Sequence, residues 1–257
     1  VMPESVLQKA KSELMDFGSS GMSVMEMSHR SKLYQGIFDD AKQRLKKIMN
    51  VPDTHEILFL QGGATLQFAA IPMNLLGNGV ADYAVTGNFS GKAAEEAKKY
   101  GTIHIAADTK ATGHDRIPAQ NELQLTPGAE YFYYCCNNTI YGTEWQYRPE
   151  TESTLVCDMS SDILSGEVDV SKYGLIYAGA QKNMAPAGLT VVIVDKSLAG
   201  HEMPITPQVM SYQNMIKHDS MLNTPPCWCI YMLGLTLEWI ESMGGVHGME
   251  ELKKERA

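Results

Sequence analysis

The chain has 257 residues, 44% hydrophobic and 20% charged, an ordinary composition for a globular protein with a substantial core. A formal charge of −9 and a pI near 5.3 argue against a nucleic-acid partner or an anionic membrane surface. No apolar run approaches the roughly 20 residues of a membrane helix, and Val1-Met2-Pro3-Glu4-Ser5 has no signal-peptide character. Pro3 to Phe17 is predicted as a helix followed by a Gly18–Ser23 loop, and Ser31 to Met49 as a second, with Leu33, Ile37, Ala41, Leu45 and Ile48 on one face. Strands and helices then alternate. Glu56–Leu60 reads as a strand before a helix through Phe68 and Leu75, and Tyr83–Thr86 as a strand before a helix from Ser90 to Tyr100. Further strands are expected at Ile103–Ala107, Tyr131–Cys135, Leu155–Asp158, from Leu175, and at Leu189–Val194. Asn137–Gly142 is a turn cluster, and Cys227–Met243 a helix with Gly244-Gly245 beyond its end. The alternation predicts an α/β fold with a mainly parallel sheet covered by helices on both faces.

The cysteines at 135, 136, 157, 227 and 229 form neither a disulfide framework nor a zinc spacing. They read as buried thiols of a reducing cytoplasm, with no metal expected. The chain starts at Val1 and stops inside the helical composition of Met249–Ala257, so both ends read as cut.

Ligands of open α/β sheets sit beyond the carboxyl ends of the strands, where four features fall. Gln61-Gly62-Gly63-Ala64-Thr65 joins a strand to a helix N-terminus and suits a phosphate, although a plain tight turn fits it too. Asp158 ends a strand, either as a helix cap or as the partner of a protonated ring nitrogen. Phe89 follows Gly87-Asn88, either as a stacking platform or as ordinary core. Lys182 follows the small residues Ala178-Gly179-Ala180, which leave room for a flat ligand, although a solvated surface lysine is the commoner case. One ligand satisfies all four: pyridoxal phosphate, held by an imine to the lysine. A nicotinamide cofactor is the physical competitor, but G-x-G-x-x-G is absent from the first strand–helix turn.

Ala178-Gly179-Ala180-Gln181-Lys182-Asn183, with Pro186-Ala187-Gly188-Leu189-Thr190, resembles the cofactor-lysine segment of the phosphoserine aminotransferase family. Similar too are Ser23–Arg30, Gly62-Gly63 with Gln67-Phe68-Ala69-Ala70, Cys157-Asp158-Met159-Ser160-Ser161 and Asn223-Thr224-Pro225-Pro226, so the likeness runs end to end. The resemblance implies the large domain of an aspartate-aminotransferase-type (fold type I) enzyme. That domain would span residues 1–245, with the N-terminal helix and loop at 1–22, and residues 246–257 would begin a connecting helix to a largely missing C-terminal small domain.

By the same resemblance, Lys182 is the imine lysine and proton shuttle, Asp158 pairs with the pyridine nitrogen, and Thr139 bonds the ring hydroxyl. Ala64, Thr65 and Gln181 hold the cofactor phosphate. Asn223 and Thr224 reach the cofactor of a partner copy in a homodimer with shared sites, and His29 and Arg30 face the anionic groups of substrate. The implied reaction moves an amino group between glutamate and 3-phosphohydroxypyruvate, giving O-phosphoserine and 2-oxoglutarate. Phe89 stands where the family usually carries Trp, and the segments that supply further substrate-binding residues lie outside the sequence. The alternatives are a cofactor-binding chain without catalysis and a cysteine desulfurase. The latter typically has His before the lysine, where Gln181 stands here.

Overall fold

Each strand of the central sheet sends alternate side chains into two separate cores, one on each face. Phe132 and Tyr134 join one core, and Tyr131 and Tyr133 the other. A strand buried on both faces reads as an unbroken apolar run, which is why Tyr131-Phe132-Tyr133-Tyr134-Cys135 shows no alternation. A computed structural model of the protein describes residues 2–256. The elements in chain order are α1 (Glu4–Ser12), α2 (Lys32–Ile48), β1 (His55–Leu60), α3 (Gly63–Leu75), β2 (Val80–Val85), α4 (Asn88–Ala97), β3 (Thr102–Asp108) and β4 (Tyr131–Cys135). There follow the hairpin β5 (Asn137–Asn138) and β6 (Thr143–Glu144), then β7 (Thr154–Asp158), β8 (Leu175–Gly179), β9 (Thr190–Asp195), α5 (Tyr212–Lys217), α6 (Cys227–Ser242) and α7 (Gly245–Arg256).

The seven-stranded sheet runs β1-β9-β8-β7-β4-β2-β3. Only β9 runs against its neighbours, so β1, β2, β4, β7 and β8 all end at one edge. That edge collects the Gly62 turn, Gly87, the β5–β6 hairpin, Asp158 and the Lys182 loop. Helices α1, α2 and α6 cover one face, and α3, α4 and α5 the other. Helix α2 starts where the Ser31 hydroxyl accepts from Tyr34 N–H at 3.2 Å, and it buries Tyr34, Ile37, Phe38, Ala41 and Leu45. The α/β fold with a mixed, mainly parallel sheet agrees with the sequence reading. Among the described residues no helix is long and apolar enough to cross a membrane.

Several elements differ from expectation, three of them for a visible reason. Helix α1 ends at Ser12, because Phe17 N–H bonds to Met22 carbonyl and its ring packs edge-on against Tyr231 at 5.7 Å. Strand β2 begins at Val80, three residues early, because Asp82 inside it is fully buried and bonded by His104 Nδ1 and Thr126 Oγ1. Helix α5, absent from the expectation, is capped by the Ser211 hydroxyl and buries Tyr212 and Met215.

Candidate active site

Strand β7 delivers Asp158 to the sheet edge, with its side chain 3% exposed. Its Oδ1 accepts from Ser160 N–H at 2.9 Å and from the Ser160 hydroxyl at 2.6 Å, while Oδ2 accepts from the Tyr177 hydroxyl at 2.9 Å. Burial pushes the Asp158 carboxyl above its ordinary range, and those bonds and the nearby Lys182 charge oppose the shift. The acid is therefore no helix cap. It closes a tight turn onto Ser160 and faces the lysine loop.

The Ser160 hydroxyl also accepts from Gly179 N–H at 3.0 Å, tying the acid to the strand that leads into Lys182. Beyond that strand Lys182 Nζ donates to Thr139 Oγ1 at 2.6 Å and stands 5.6 Å from the centre of the Phe89 ring. Asn138 holds this assembly together. Its amide nitrogen donates to Thr86 Oγ1 and Thr143 Oγ1, both at 3.1 Å, and so joins the hairpin of Thr139 to the end of β2. Gly87 is needed beneath it, since a Cβ there would lie 2.6 Å from Asn138 Oδ1.

The Gly62 turn opens the other half of the edge. Gly62 has φ 92°, and a Cβ would meet Leu66 at 2.4 Å, so only glycine lets the chain turn into α3. Helix α3 has no side-chain cap, and the N–H groups of Ala64 and Thr65 in its first turn have no intrahelical partner. The turn and Thr65 line a groove of about 1230 Å³ with Gly87, Asn88 and Tyr141, while Gln181 and Lys182 line a separate cavity of about 420 Å³. Gln181 folds back over Gly179, whose Cβ would lie 2.8 Å from its Oε1.

The remaining candidates lie apart from Lys182. Asn223 and Thr224 are exposed behind the Gly62 turn, where Gln61 Nε2 donates to the Thr224 carbonyl at 2.6 Å. His29 and Arg30 line neither of these two cavities. His29 Nε2 is buried without a hydrogen-bond partner, and the exposed Arg30 has no ion pair among the described residues. Ser160, Tyr177, Tyr133 and Asn138 were not assigned roles from sequence. The Asp-x-Ser spacing was a legible signal for Ser160, whereas the position of Tyr177 opposite Asp158 depends on strand register.

These residues fit pyridoxal phosphate. The uncapped helix start offers donors to an anion, Phe89 a flat face, and Asp158 a buried carboxylate beside the lysine. All five cysteines are free, and burial raises the thiols of Cys135, Cys157, Cys227 and Cys229, so none of these four is an activated nucleophile.

Residues 1–257 match the model of the aminotransferase class-V family. The chain is 48% identical over 258 residues to the phosphoserine aminotransferase of Laribacter hongkongensis, covering 100% of this chain and 72% of that protein. It is 50% identical over 252 residues to that of Pseudomonas aeruginosa, covering 97% of this chain and 70% of the relative. The structure of the Bacillus circulans subsp. alkalophilus phosphoserine aminotransferase superposes with a TM-score of 0.97 at 41% identity, across 100% of this chain and 72% of that one. The pyridoxal-phosphate-bound enzyme of Trichomonas vaginalis gives 0.97 at 39% identity, across 100% and 77%. The chain belongs to the class-V aminotransferases, pyridoxal-phosphate-dependent transaminases, and within them to the phosphoserine aminotransferase family.

Proposed function

We propose that this chain transfers the amino group between glutamate and 3-phosphohydroxypyruvate, yielding O-phosphoserine and 2-oxoglutarate. The convergence of Lys182 on Thr139 and Phe89, with Asp158 on the adjacent strand, carries the reading. When bound, pyridoxal phosphate supplies an electrophilic carbon and a protonated ring that delocalises the electron pair released at the substrate α-carbon. Lys182 anchors it and moves the proton at that carbon, its Nζ acting as base when neutral and as acid once protonated. Asp158 holds the proton on the ring nitrogen, Phe89 stacks on the ring, and Thr139 bonds the ring hydroxyl. The Ala64 and Thr65 N–H groups and the Gln181 amide take the phosphate. His29 and Arg30 take the anionic ends of the substrate, the guanidinium in two-pronged fashion. Asn223 and Thr224 complete the site of a second copy in a homodimer.

The test is borohydride reduction of the chain incubated with pyridoxal phosphate, followed by peptide mass mapping. Cofactor mass is expected on the peptide carrying Lys182, and Lys182→Ala is expected to lose it along with about 10²–10⁴-fold in phosphoserine-dependent amino transfer. A stable adduct confined to another lysine sinks the assignment.

A further inference from the structure

The acid Asp158 is itself held by a one-way chain of buried hydroxyls. An ionised carboxylate only accepts, so the Tyr177 hydroxyl donates its single hydrogen to Asp158 Oδ2. The Tyr133 hydroxyl lies 2.7 Å from that of Tyr177, whose hydrogen is already committed, so Tyr133 donates and Tyr177 accepts. Both tyrosines are fully buried, and burial keeps each protonated and able to donate.

Counting acceptor sites shows what this achieves. A carboxylate has about four lone-pair positions. Three are taken here, two on Oδ1 by Ser160 and one on Oδ2 by Tyr177, which leaves a single position, on Oδ2. We infer that Tyr177, held by Tyr133, is a positioning residue for the transamination. It fixes the Asp158 carboxylate in rotation and fills its acceptor sites so that one remains for the ring N–H of pyridoxal phosphate. The inference rests on the function proposed above and deepens it. Two features separate this arrangement from ordinary core packing. Tyr177 lies directly opposite Asp158 in the parallel β7–β8 register, on the same face of the sheet. Tyr133 also stacks on Tyr83 at 4.6 Å, so the terminal donor cannot swing away without disturbing the core.

The closing experiment compares wild type with Tyr177→Phe and Tyr133→Phe, each loaded with pyridoxal phosphate. It follows cofactor affinity, the pH dependence of the bound cofactor's visible absorbance, and the kcat and KM of amino transfer. Tyr177→Phe is expected to weaken cofactor binding and lower kcat by about tenfold each, the lower range for losing one hydrogen bond to a charged group, with KM for glutamate little changed. The absorbance transition is expected to move to higher pH, because a ring that holds its proton less fully draws less charge from the nitrogen at Lys182. Tyr133→Phe keeps the hydroxyl on Asp158 and is expected to shift the transition the same way by less, which preserves the test if Tyr177→Phe does not fold. A wild type that takes up cofactor, with absorbance transitions unmoved in the variants whatever their melting temperatures, overturns this inference alone. A wild type that takes up none overturns the proposed function as well.

Discussion

The two halves of the sheet edge are built differently. On the β7–β8 side nearly every polar atom has a partner inside the chain. Asp158 accepts three bonds, the Ser160 hydroxyl donates one and accepts one, and Lys182 is held by Thr139. Around the Gly62 turn and at His29 and Arg30, several polar groups, buried or exposed, have no partner among the described residues. Helix α3 starts uncapped, His29 Nε2 is unbonded, and Arg30, Asn223 and Thr224 are exposed. The closed half contains the groups to which the proposed function assigns the proton, whose geometry must be set before substrate arrives. The open half contains groups suited to anions, and a site for a charged ligand keeps donors free until the ligand supplies the acceptor. Under the proposed function, chemistry is built into the sheet and recognition is left on its rim.

The contrast is broken most sharply at Asp158. Asp158→Asn replaces a buried acceptor pair with a group that must donate on one side. Its new N–H₂ meets the Tyr177 hydroxyl, which has to turn its hydrogen toward Tyr133 and reverse the chain. Amino transfer is expected to fall by about 10²–10³-fold, the scale of removing one member of a buried charge pair, and kcat is expected to carry the loss. A variant that keeps kcat and loses only KM contradicts the division between the halves. On the rim the expected loss is smaller and of another kind. Arg30→Ala is expected to raise KM for phosphoserine about tenfold and leave kcat close to wild type, as for a contact made equally in ground and transition states. Because Arg30 is exposed, the KM difference is expected to shrink with added salt. Steady-state kinetics at two ionic strengths decide it, and a salt-independent fall in kcat places Arg30 with the closed half instead.

Much of this division was legible in the sequence. The strand-end positions of Gly62-Gly63, Phe89, Asp158 and Lys182 follow from apolar runs broken by polar turns, and a mainly parallel sheet brings such breaks to one edge. The supporting hydroxyls were not legible. Tyr177 and Tyr133 look like core aromatics within unbroken apolar runs, and their reach to Asp158 depends on β7 pairing with β8 in a given register. Asn138 was equally hidden, because its value lies in joining two segments 52 residues apart. Buried polar residues also defeated the boundary of β2. Asp82 interrupts an apolar pattern, and only the partners from His104 and Thr126 make a strand interior tolerable for it. Helix α1 stopped short for a related reason, since Phe17 gains more from the Tyr231 ring than from continuing a solvent-facing helix.

Asp162 is an exception within the closed half, and it yields the smallest effect. Asp162 lies four residues beyond Asp158, and its Oδ1 is buried without a hydrogen-bond partner. Burial pushes its carboxyl up to about 6, with Glu144 and Asp158 adding in the same direction and a bond from Cys136 opposing. The folded value thus lies above the roughly 3.9 of an unfolded aspartate. Between those values the folded chain binds a proton that the unfolded chain has released, so this group adds stability as pH falls from about 6 to about 4. Above pH 6 the ionised form costs the fold its full penalty. Asp162→Asn removes that penalty and is expected to stabilise the chain by about 1–2 kcal/mol at neutral pH, discounted for the partial exposure of the side chain. The gain is expected to shrink toward zero below about pH 4, where wild type becomes protonated in both states. Urea unfolding of both proteins across this range measures the difference directly. A gain that stays constant with pH assigns it to packing instead, and leaves Asp162 as well accommodated as the acid four residues before it.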